Sequence, residues 1–188
     1  MEIKKLLNSI LETVLLIVVA LAIVIPIRTY IFQPFIVNGG SMEPNFYSGD
    51  YLIVDEFTYN FLEKPKRGDV IVFDYPLNPN FKYIKRVIGL PNETITIKDG
   101  QILIKPENGL EFVLDESEYL DEDVLREWMY SNNLREEKLG ESEYFVLGDN
   151  RNGSSDSRKW GTLPLRNIDG KVFLRFSPKD LKSQKVYD

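Results

Sequence analysis

The amino-acid sequence predicts a mainly β protein, in which an antiparallel β-sheet domain follows one N-terminal transmembrane helix and carries a small, acidic, partly helical insertion. Two observations predict this fold class. The first 30 residues contain a long apolar run, and most of the remainder consists of short runs rich in Val, Ile, Tyr and Phe between turn residues. With 188 residues, of which 43% are hydrophobic and 28% charged, the chain is able to bury a core, which argues against disorder.

The first predicted element is a membrane anchor over residues 6–27. These 22 residues contain one carboxylate, Glu12, and as a helix they are long enough to cross the ~30 Å hydrocarbon core of a bilayer. Lysines precede the segment and aromatic residues follow it, which is the order of a cytoplasmic basic flank and an outer aromatic belt. The sequence therefore predicts a cytoplasmic N-terminus over residues 1–5, a single crossing of the cell membrane and an extracytoplasmic domain over residues 28–188.

Two other interpretations fit an apolar N-terminal run: a cleaved signal peptide and the buried core helix of a soluble domain. A signal peptide ends in a pattern of small residues that the processing enzyme cuts. Residues 26–30 are instead Pro-Ile-Arg-Thr-Tyr, which are bulky, so an uncleaved anchor is favoured.

After the anchor, seven segments of four to seven residues have the composition of β-strands. They are residues 51–54, 69–75, 83–88, 94–97, 101–104, 144–147 and 172–176. The sequence Lys-Asp-Gly-Gln at residues 98–101 separates two of them and predicts a tight hairpin, which implies antiparallel pairing.

Residues 107–143, here called the acidic segment, interrupt the strand pattern. They hold 13 acidic and 3 basic residues, whereas the whole chain has a net charge of only −6. Apolar residues from Val124 to Met129 have helical spacing and predict a short helix that begins within residues 117–121 and ends before Asn132. We expect a solvated excursion from the β core rather than a binding surface.

The composition restricts the chemistry that the domain can perform. The chain contains no Cys and no His, which excludes disulfides, thiolate nucleophiles, imidazole bases and the usual ligands of zinc. Any catalysis must therefore use Ser, Thr, Lys, Tyr or carboxylate side chains.

Ser41 lies in the densest cluster of small residues in the chain, the turn from Asn38 to Pro44. Glycine before a serine allows the backbone to turn so that the hydroxyl and the neighbouring amide face one substrate carbonyl. Ser41 is thus a candidate nucleophile, although most Gly-Ser turns are only turns. Without histidine, its base would be a carboxylate or a lysine that burial keeps neutral.

Lys85 is the candidate base because it lies inside the predicted strand 83–88. Side chains two residues apart share a face of a strand, so Lys85 and Arg86 point to opposite faces and one of them must face inward. An inward Lys85 would have an apolar environment that disfavours its ammonium form. The alternative is a surface lysine that extends its amine into solvent.

A third cluster is the sequence from Gly148 to Arg158, here called the polar loop, which contains two Asp, two Arg, three Ser and two Asn. Such a loop can form a closed network of hydrogen bonds and ion pairs, and one of its serines could hold a lysine amine in line. A calcium loop is the main alternative. Its acids lack the required spacing, however, and Arg151 and Arg158 would repel a cation.

Five segments in this order, behind the anchor, resemble the bacterial type I signal peptidases, which are membrane-bound Ser-Lys peptidases. The segments are residues 40–44, 49–54, 67–73, 83–91 and 148–161. The resemblance covers nearly the whole chain. The single anchor and the short chain are similar to the compact form common in Gram-positive bacteria.

The resemblance implies a role for each matching residue. Ser41 would be the nucleophile, Lys85 the general base and Ser154 the hydroxyl that orients the lysine. The supporting salt-bridge network would consist of Asp156, Arg158, Asp149 and Arg86. The pockets for small substrate side chains would be formed by Phe35, Val37, Met42 and Ile84.

The resemblance also implies partners. The substrates would be the signal peptides of secretory preproteins. The anchor would lie in a lipid bilayer, and the protein translocation machinery would be a further partner. Neither a cofactor nor a metal is required, and no nucleic acid is expected. Two residues depart from the pattern: Asn45 replaces a common Thr, and Gly39 replaces a serine found in some members. The second departure removes a donor to the oxyanion, which the Ser41 amide would bind together with another backbone or water donor.

Three other functions compete with this one. A self-cleaving Ser-Lys repressor would need a DNA-binding region in place of the anchor, and the first 30 residues hold only three bases. A catalytically inactive relative would lack the serine or the lysine, and both are present. A generic anchored β-domain for protein binding would leave the polar loop unexplained.

Overall fold

The computed structural model describes residues 2–30, 32–61, 63–129, 135–179 and 182–186. Its first element is helix α1, Glu2–Tyr30. The stretch Leu7–Val24 has a mean hydropathy of 2.5, and none of it is buried against the rest of the protein. Within the described ranges, α1 is the one helix long and apolar enough to cross a membrane. An apolar stretch that the protein leaves uncovered is not a core helix, so that interpretation is excluded.

The rest of the described chain is built mainly from strands. In chain order these are β1 Phe32–Ile36, β2 Tyr51–Asp55, β3 Val70–Asp74, β4 Lys82–Gly89, β5 Thr94–Lys98, β6 Gln101–Lys105, β7 Phe112–Val113, β8 Arg135–Lys138, β9 Glu143–Leu147, β10 Leu163–Pro164, β11 Ile168–Ser177 and β12 Lys182–Lys185. Three short helices join them: α2 Phe57–Phe61, α3 Glu122–Met129 and α4 Ser157–Trp160, with one 3₁₀ turn at Leu165–Asn167.

Over the described residues the strands form two sheets, and all of the pairings are antiparallel. The larger sheet has the order β1-β2-β11-β3-β4-β9-β10, with β12 paired to β11. The smaller sheet has the order β7-β6-β5-β8. The predicted mainly β, antiparallel fold is therefore confirmed.

Strand β4 lies inside the larger sheet, and its residues from Lys85 to Gly89 are all buried. Both of its faces are covered, since Val87 packs in one hydrophobic cluster with Phe73 and Ile88 packs in another with Trp128. A third cluster, which includes Val37, Met42 and Leu52, lies beneath the turn that carries Ser41. Strand β4 and the Ser41 turn therefore both rest on packed core.

Each of the seven predicted strands is present, as is the predicted hairpin. At the hairpin tip Asp99 and Gly100 both have positive φ, 49° and 72°, as a type I′ turn requires. The five strands that were not predicted are β1, β7, β8, β10 and β12, and each lies at a sheet edge or pairs outside the main strand order. Edge strands tolerate residues that sequence rules penalise, such as Pro34 in β1.

The acidic segment is more than a solvated excursion. Its strands β7 and β8 form both edges of the smaller sheet, and Trp128 is 1% exposed within a core cluster. Helix α3 begins at Glu122, after a turn over residues 117–120, rather than within residues 117–121. Its predicted limit at Asn132 lies outside the described residues.

Candidate active site

Ser41 and Lys85 meet in the structure although 44 positions separate them in the chain, and Lys85 Nζ lies 2.7 Å from Ser41 Oγ. The amine also donates a hydrogen bond of 2.7 Å to the carbonyl of Ile84. Ser41 lies on the loop between β1 and β2, and Lys85 lies in the middle of β4. The predicted nucleophile and the predicted base are therefore within direct proton-transfer distance.

Lys85 is a buried amine, with the residue only 3% exposed. Burial disfavours the ammonium form and lowers the pKa of Lys85 to about 8, although the negative charges of Asp156 and Asp149 act in the opposite direction. An ordinary lysine has a pKa of ~10.4 and is almost wholly charged at neutral pH. A surface lysine is thus excluded, and near pH 8 the amine of Lys85 has a large neutral fraction.

The loop that carries Ser41 is held from two directions. At its base, the amide of Val37 donates to the carbonyl of Asp50 at 2.9 Å. From the polar loop, Asn150 donates from its backbone amide to the Ser41 carbonyl at 3.1 Å and from Nδ2 to the Gly40 carbonyl at 2.9 Å. These contacts fix the backbone on both sides of the Ser41 hydroxyl.

Gly148 allows the polar loop to approach Ser41 this closely. A Cβ at position 148 would overlap with the carbonyl oxygen of Ser41 and with the hydroxyl of Ser154, so only glycine fits. Asn150, two residues later, is a site residue to which the sequence analysis assigned no role. Its place directly after Gly148 and Asp149 was the available signal.

Ser154 lies beside the Ser41 loop but does not bond to the lysine. Its hydroxyl is buried and has no hydrogen-bond partner in normal geometry among the described residues, while the amine of Lys85 is bonded to Ser41 and Ile84. The hydroxyl is near enough to Asp156 to help lower the pKa of that carboxyl. The orienting role predicted for Ser154 therefore stays a prediction.

Arg86 and Asp149 form a buried ion pair next to the lysine. The guanidinium donates to both carboxylate oxygens, from Nε at 2.8 Å and from Nη2 at 2.7 Å, and Asp149 is wholly buried. Arg86 is 7% exposed, so Lys85 and Arg86 are both inward although they lie on opposite faces of β4. The sequence pattern required one of them to face inward; both are buried, because the core covers both faces of this strand.

Asp156 and Arg158 form a second pair at the start of α4. Arg158 Nε and Nη2 each donate to one oxygen of the Asp156 carboxylate at 2.8 Å, and that carboxylate also accepts from the Gly148 amide at 3.0 Å. Burial by itself raises the pKa of Asp156, but the hydrogen bonds and positive charge of Arg158 outweigh it, so the pKa is lowered. Asp156 is therefore a stable anion inside the site.

A third ion pair joins the polar loop to the acidic segment. Arg151 Nη1 donates to Glu116 Oε2 at 2.7 Å, and both residues are buried. The guanidinium of Arg151 also lies over the ring of Trp128, 4.5 Å from its centroid, and that of Arg158 lies 5.0 Å from the same ring. This pair was not predicted, because nothing in the sequence of either segment indicates that the two meet.

A cavity of about 350 Å³ opens beside the Ser41 hydroxyl. Three of the four residues predicted to form substrate pockets line it: Phe35, Val37 and Ile84. Met42 is not among the lining residues, since it is fully buried in the core cluster beneath the Ser41 turn. The wall also includes the polar residues Asn38, Lys82 and Ser155.

Most of the sequence matches a known protein family. Residues 10–177 match the family described as "Signal peptidase, peptidase S26", a range that contains Ser41, Lys85 and the polar loop. The chain belongs to this family.

Signal peptidases I from three bacteria show how far the similarity extends. The enzyme from Leptolyngbya laminosa is 36% identical over 179 residues, 91% of this chain and 81% of its own length. That from Bacillus licheniformis is 34% identical over 172 residues, 91% and 90% of the two lengths. That from Pseudomonas aeruginosa is 33% identical over 199 residues, 81% of this chain and 67% of its own.

Asn45 and Gly39, the two residues that depart from the common signal peptidase pattern, each have a defined structural environment. Asn45 donates from Nδ2 to the Tyr119 carbonyl at 2.6 Å and to Asp149 Oδ2 at 2.8 Å, so it ties the Ser41 loop to the ion pair of Arg86. Gly39 has a φ of 92°, which favours glycine. A serine at position 39 would therefore have to adopt a backbone conformation that residues with side chains rarely adopt.

Restoring a serine at position 39 is expected to destabilise this signal peptidase. Apart from the two chain neighbours of Gly39, no atom of the described residues lies within 4 Å of the place where a Cβ would stand, so the cost comes from backbone strain and not from a clash. Gly39→Ser and Gly39→Ala should each lose about 1–3 kcal/mol of unfolding free energy, as is usual for a residue forced into this region. Denaturation of the full chain in detergent measures the loss. A Gly39→Ser variant as stable as the wild type would show that the backbone relaxes without cost.

Proposed function

We propose that this chain is a membrane-anchored serine endopeptidase that removes N-terminal signal peptides from secreted preproteins, with Ser41 as the nucleophile and Lys85 as the general base. The observation that supports this most strongly is the 2.7 Å contact between Ser41 Oγ and the buried amine of Lys85. Membership of the signal peptidase family supports the substrate class, and the uncovered apolar helix α1 supports the anchor.

The first half of the reaction forms an acyl-enzyme. Neutral Lys85 accepts the proton of the Ser41 hydroxyl as Oγ attacks the scissile carbonyl, and the carbonyl oxygen becomes an oxyanion. The backbone amide of Ser41 is one donor to it, because the turn faces the cavity. When the intermediate collapses, Lys85 returns the proton to the leaving nitrogen, and the mature protein departs with a free amino terminus.

The second half removes the signal peptide. Water donates a proton to the again neutral Lys85 and attacks the ester carbonyl, and the proton then returns to Ser41 Oγ as the peptide leaves with a carboxyl terminus. Both halves use the same dyad, and one water molecule is consumed in the second half.

The polar loop supports this dyad through positioning. We assign to Ser154 the orientation of the Lys85 amine, and to Asp149, Arg86, Asp156 and Arg158 the charge balance around it. Two carboxylates favour the ammonium that forms during each step, and their own arginines keep that effect moderate. Such a balance supports both the release and the uptake of a proton.

The cavity beside Ser41 suits an extended peptide with small side chains. Phe35, Val37 and Ile84 give it an apolar wall, while Met42 supports the Ser41 turn from below. Strand β1 lies at the end of the larger sheet, so an extended segment can add backbone hydrogen bonds near Val37. Small residues at the first and third positions before the cut would fill the space that remains.

The anchor sets where the reaction takes place. In our proposal residues 1–5 lie in the cytoplasm, residues 6–27 cross the bilayer once, and residues 28–188 lie on the outer face. Only eight residues separate Arg28 from Val37, which lines the cavity directly before the Ser41 turn, so the site stays near the membrane surface. Preproteins emerging from the translocation machinery would reach it there.

Cleavage of a secretory preprotein by the full chain in detergent micelles tests the proposed function. Mass spectrometry should find one cut, after a small residue, and two products whose masses sum to the substrate plus one water. A preprotein with bulky residues at the first and third positions before the cut is the matched control and should remain intact. Uncut wild-type substrate, with a folded enzyme, would contradict the proposal.

The rate of this cleavage is expected to rise with pH through a midpoint near 8. Since burial lowers the pKa of Lys85 to about 8, the neutral base is scarce at pH 6 and dominant at pH 10. Below the midpoint the single-turnover rate should increase about tenfold per pH unit, and above it the rate should level off. A single-turnover rate independent of pH between 6 and 10 would rule out lysine as the base.

A further inference from the structure

Tyr119, in the acidic segment, lies directly over the ion pair that adjoins the base. Its ring centroid is 4.0 Å from the guanidinium carbon of Arg86. Its carbonyl accepts a hydrogen bond of 2.6 Å from Asn45 Nδ2, and the same amide group donates to Asp149 at 2.8 Å. Tyr119 thus contacts the cation of the pair with its ring and reaches the anion through Asn45.

The ring of Tyr119 is itself held in place. Its hydroxyl donates to Glu116 Oε1 at 2.6 Å, and Glu116 is fixed by its buried pair with Arg151 of the polar loop. Burial first, and then the negative charge of Glu116, raise the pKa of Tyr119. The hydroxyl therefore remains a hydrogen-bond donor at every pH at which the protein would work.

A second cavity, of about 550 Å³, lies next to Tyr119 and Arg86 and shares no lining residue with the cavity beside Ser41. Two acids line it, Asp69 and Glu118, together with four further cations, Lys66, Arg67, Arg175 and Lys185. Asp69 is already paired with Lys171 at 2.9 Å, and Arg86 Nη1 also donates to the Gly68 carbonyl at 2.9 Å. Without the ring, the guanidinium of Arg86 would have the room to turn away from Asp149 and toward Glu118.

We propose that Tyr119 is a positioning residue for the general base: it holds Arg86 against Asp149, so that the charge of Asp149 next to Lys85 stays balanced. This inference rests on the proposed dyad of Ser41 and Lys85. It gives the acidic segment a part in the reaction, although none of its described residues lines the cavity beside Ser41.

The direction of the effect follows from the charges around the amine. The carboxylates that act on the amine are Asp156 and Asp149, whose ion-pair partners are Arg158 and Arg86. The pair of Arg151 and Glu116 adjoins Tyr119. The ring of Tyr83 also lies 5.4 Å from the Lys85 amine, and the loop side contributes the uncharged Ser41 and Asn45. If Arg86 moves away from Asp149, the carboxylate acts on Lys85 unopposed, favours the ammonium form and raises the pKa of Lys85. The pH–rate profile then moves to higher pH.

Peptide cleavage by the full chain in detergent, followed from pH 6 to pH 10.5 with a fluorogenic signal-peptide substrate, tests this. Tyr119→Leu should lower kcat at pH 7 by about 3- to 10-fold, with KM within twofold, and the rate should return to within about twofold of wild type near pH 10. Tyr119→Phe keeps the ring and should keep a midpoint close to that of the wild type. Phe112→Leu is the matched control, because Phe112 lies over Arg67 at 5.6 Å in the same segment, and it should leave the profile unchanged.

A folded Tyr119→Leu variant with the wild-type midpoint would overturn the inference, even if its rate were lower at every pH. If Tyr119→Leu does not fold, Asn45→Ala decides, because it removes the amide that bonds to both Asp149 and Tyr119 and should move the midpoint in the same direction. If instead the proposed dyad of Ser41 and Lys85 were wrong, the cleavage rate of the wild type itself would not rise with pH, so the two failures can be distinguished.

Discussion

Alanine in place of Ser41 or of Lys85 is expected to abolish cleavage, with a loss of turnover on the order of 10⁴- to 10⁶-fold. Ser41 supplies the attacking oxygen. Among the described residues, the one base within hydrogen-bond distance of that oxygen is the Lys85 amine, at 2.7 Å. Since the two side chains act as one unit, the double variant should be little worse than either single one. Single-turnover cleavage of a preprotein by the full chain measures all three.

Lys85→Arg separates charge from proton transfer. The guanidinium keeps a positive charge at position 85 but cannot lose its proton in this pH range, so this variant should be as inactive as Lys85→Ala. Lys98→Ala, at the exposed tip of the hairpin between β5 and β6, is the control and should cleave like the wild type. Substantial turnover by folded Lys85→Ala would remove Lys85 from the mechanism.

The central strands were predictable because their environment is uniform. Strand β3 is buried from Val70 to Phe73, and the sequence there is an unbroken apolar run. Strand β8 is the opposite case: Arg135–Lys138 has no apolar residue, and it pairs with β5 because that strand offers free backbone groups along one edge. No local pattern contains that information.

The candidate site divides in the same way. The Gly-Ser turn and the lysine inside a strand made Ser41 and Lys85 only candidates, and the resemblance to the signal peptidases connected them. The roles of Asn45 and Tyr119 were not predicted, because they depend on contacts between distant parts of the chain. Asn45 is 74 positions from Tyr119 and 104 positions from Asp149, and it bonds to both. The burial of both Lys85 and Arg86 likewise depends on how many layers cover β4.

Asp156→Asn is expected to destabilise the folded protein by up to about 3–5 kcal/mol. Asp156 is wholly buried and accepts two hydrogen bonds from the guanidinium of Arg158, whose side chain is only 15% exposed. An amide cannot neutralise that cation, and a buried pair that loses one partner leaves the other charge uncompensated. Thermal unfolding of the full chain in detergent should show the loss as a markedly lower Tm.

The pH dependence of this difference identifies its cause. The pKa of Asp156 is lowered in the folded state, so its ion pair contributes stability above the unfolded value of ~3.9, and that contribution is lost as the pH falls through the folded pKa. The gap in stability between wild type and Asp156→Asn should therefore be full at neutral pH and close in acid. A gap that stays constant down to pH 2 would mean that packing, and not charge, causes it.

Ser154→Ala is the counterpart that separates support of the fold from support of the chemistry. The Ser154 hydroxyl is buried, and no described residue forms a hydrogen bond of normal geometry with it, so its removal should change the unfolding free energy by less than about 1 kcal/mol and can even increase it. If the hydroxyl orients the Lys85 amine during the reaction, turnover should nevertheless fall by about 10- to 1,000-fold. Asp156→Asn should then lose mainly stability and Ser154→Ala mainly rate. Wild-type single-turnover cleavage by Ser154→Ala would show that Ser154 only fills space beside Gly148, and that Ser41, Ile84 and the strand itself suffice to orient the amine.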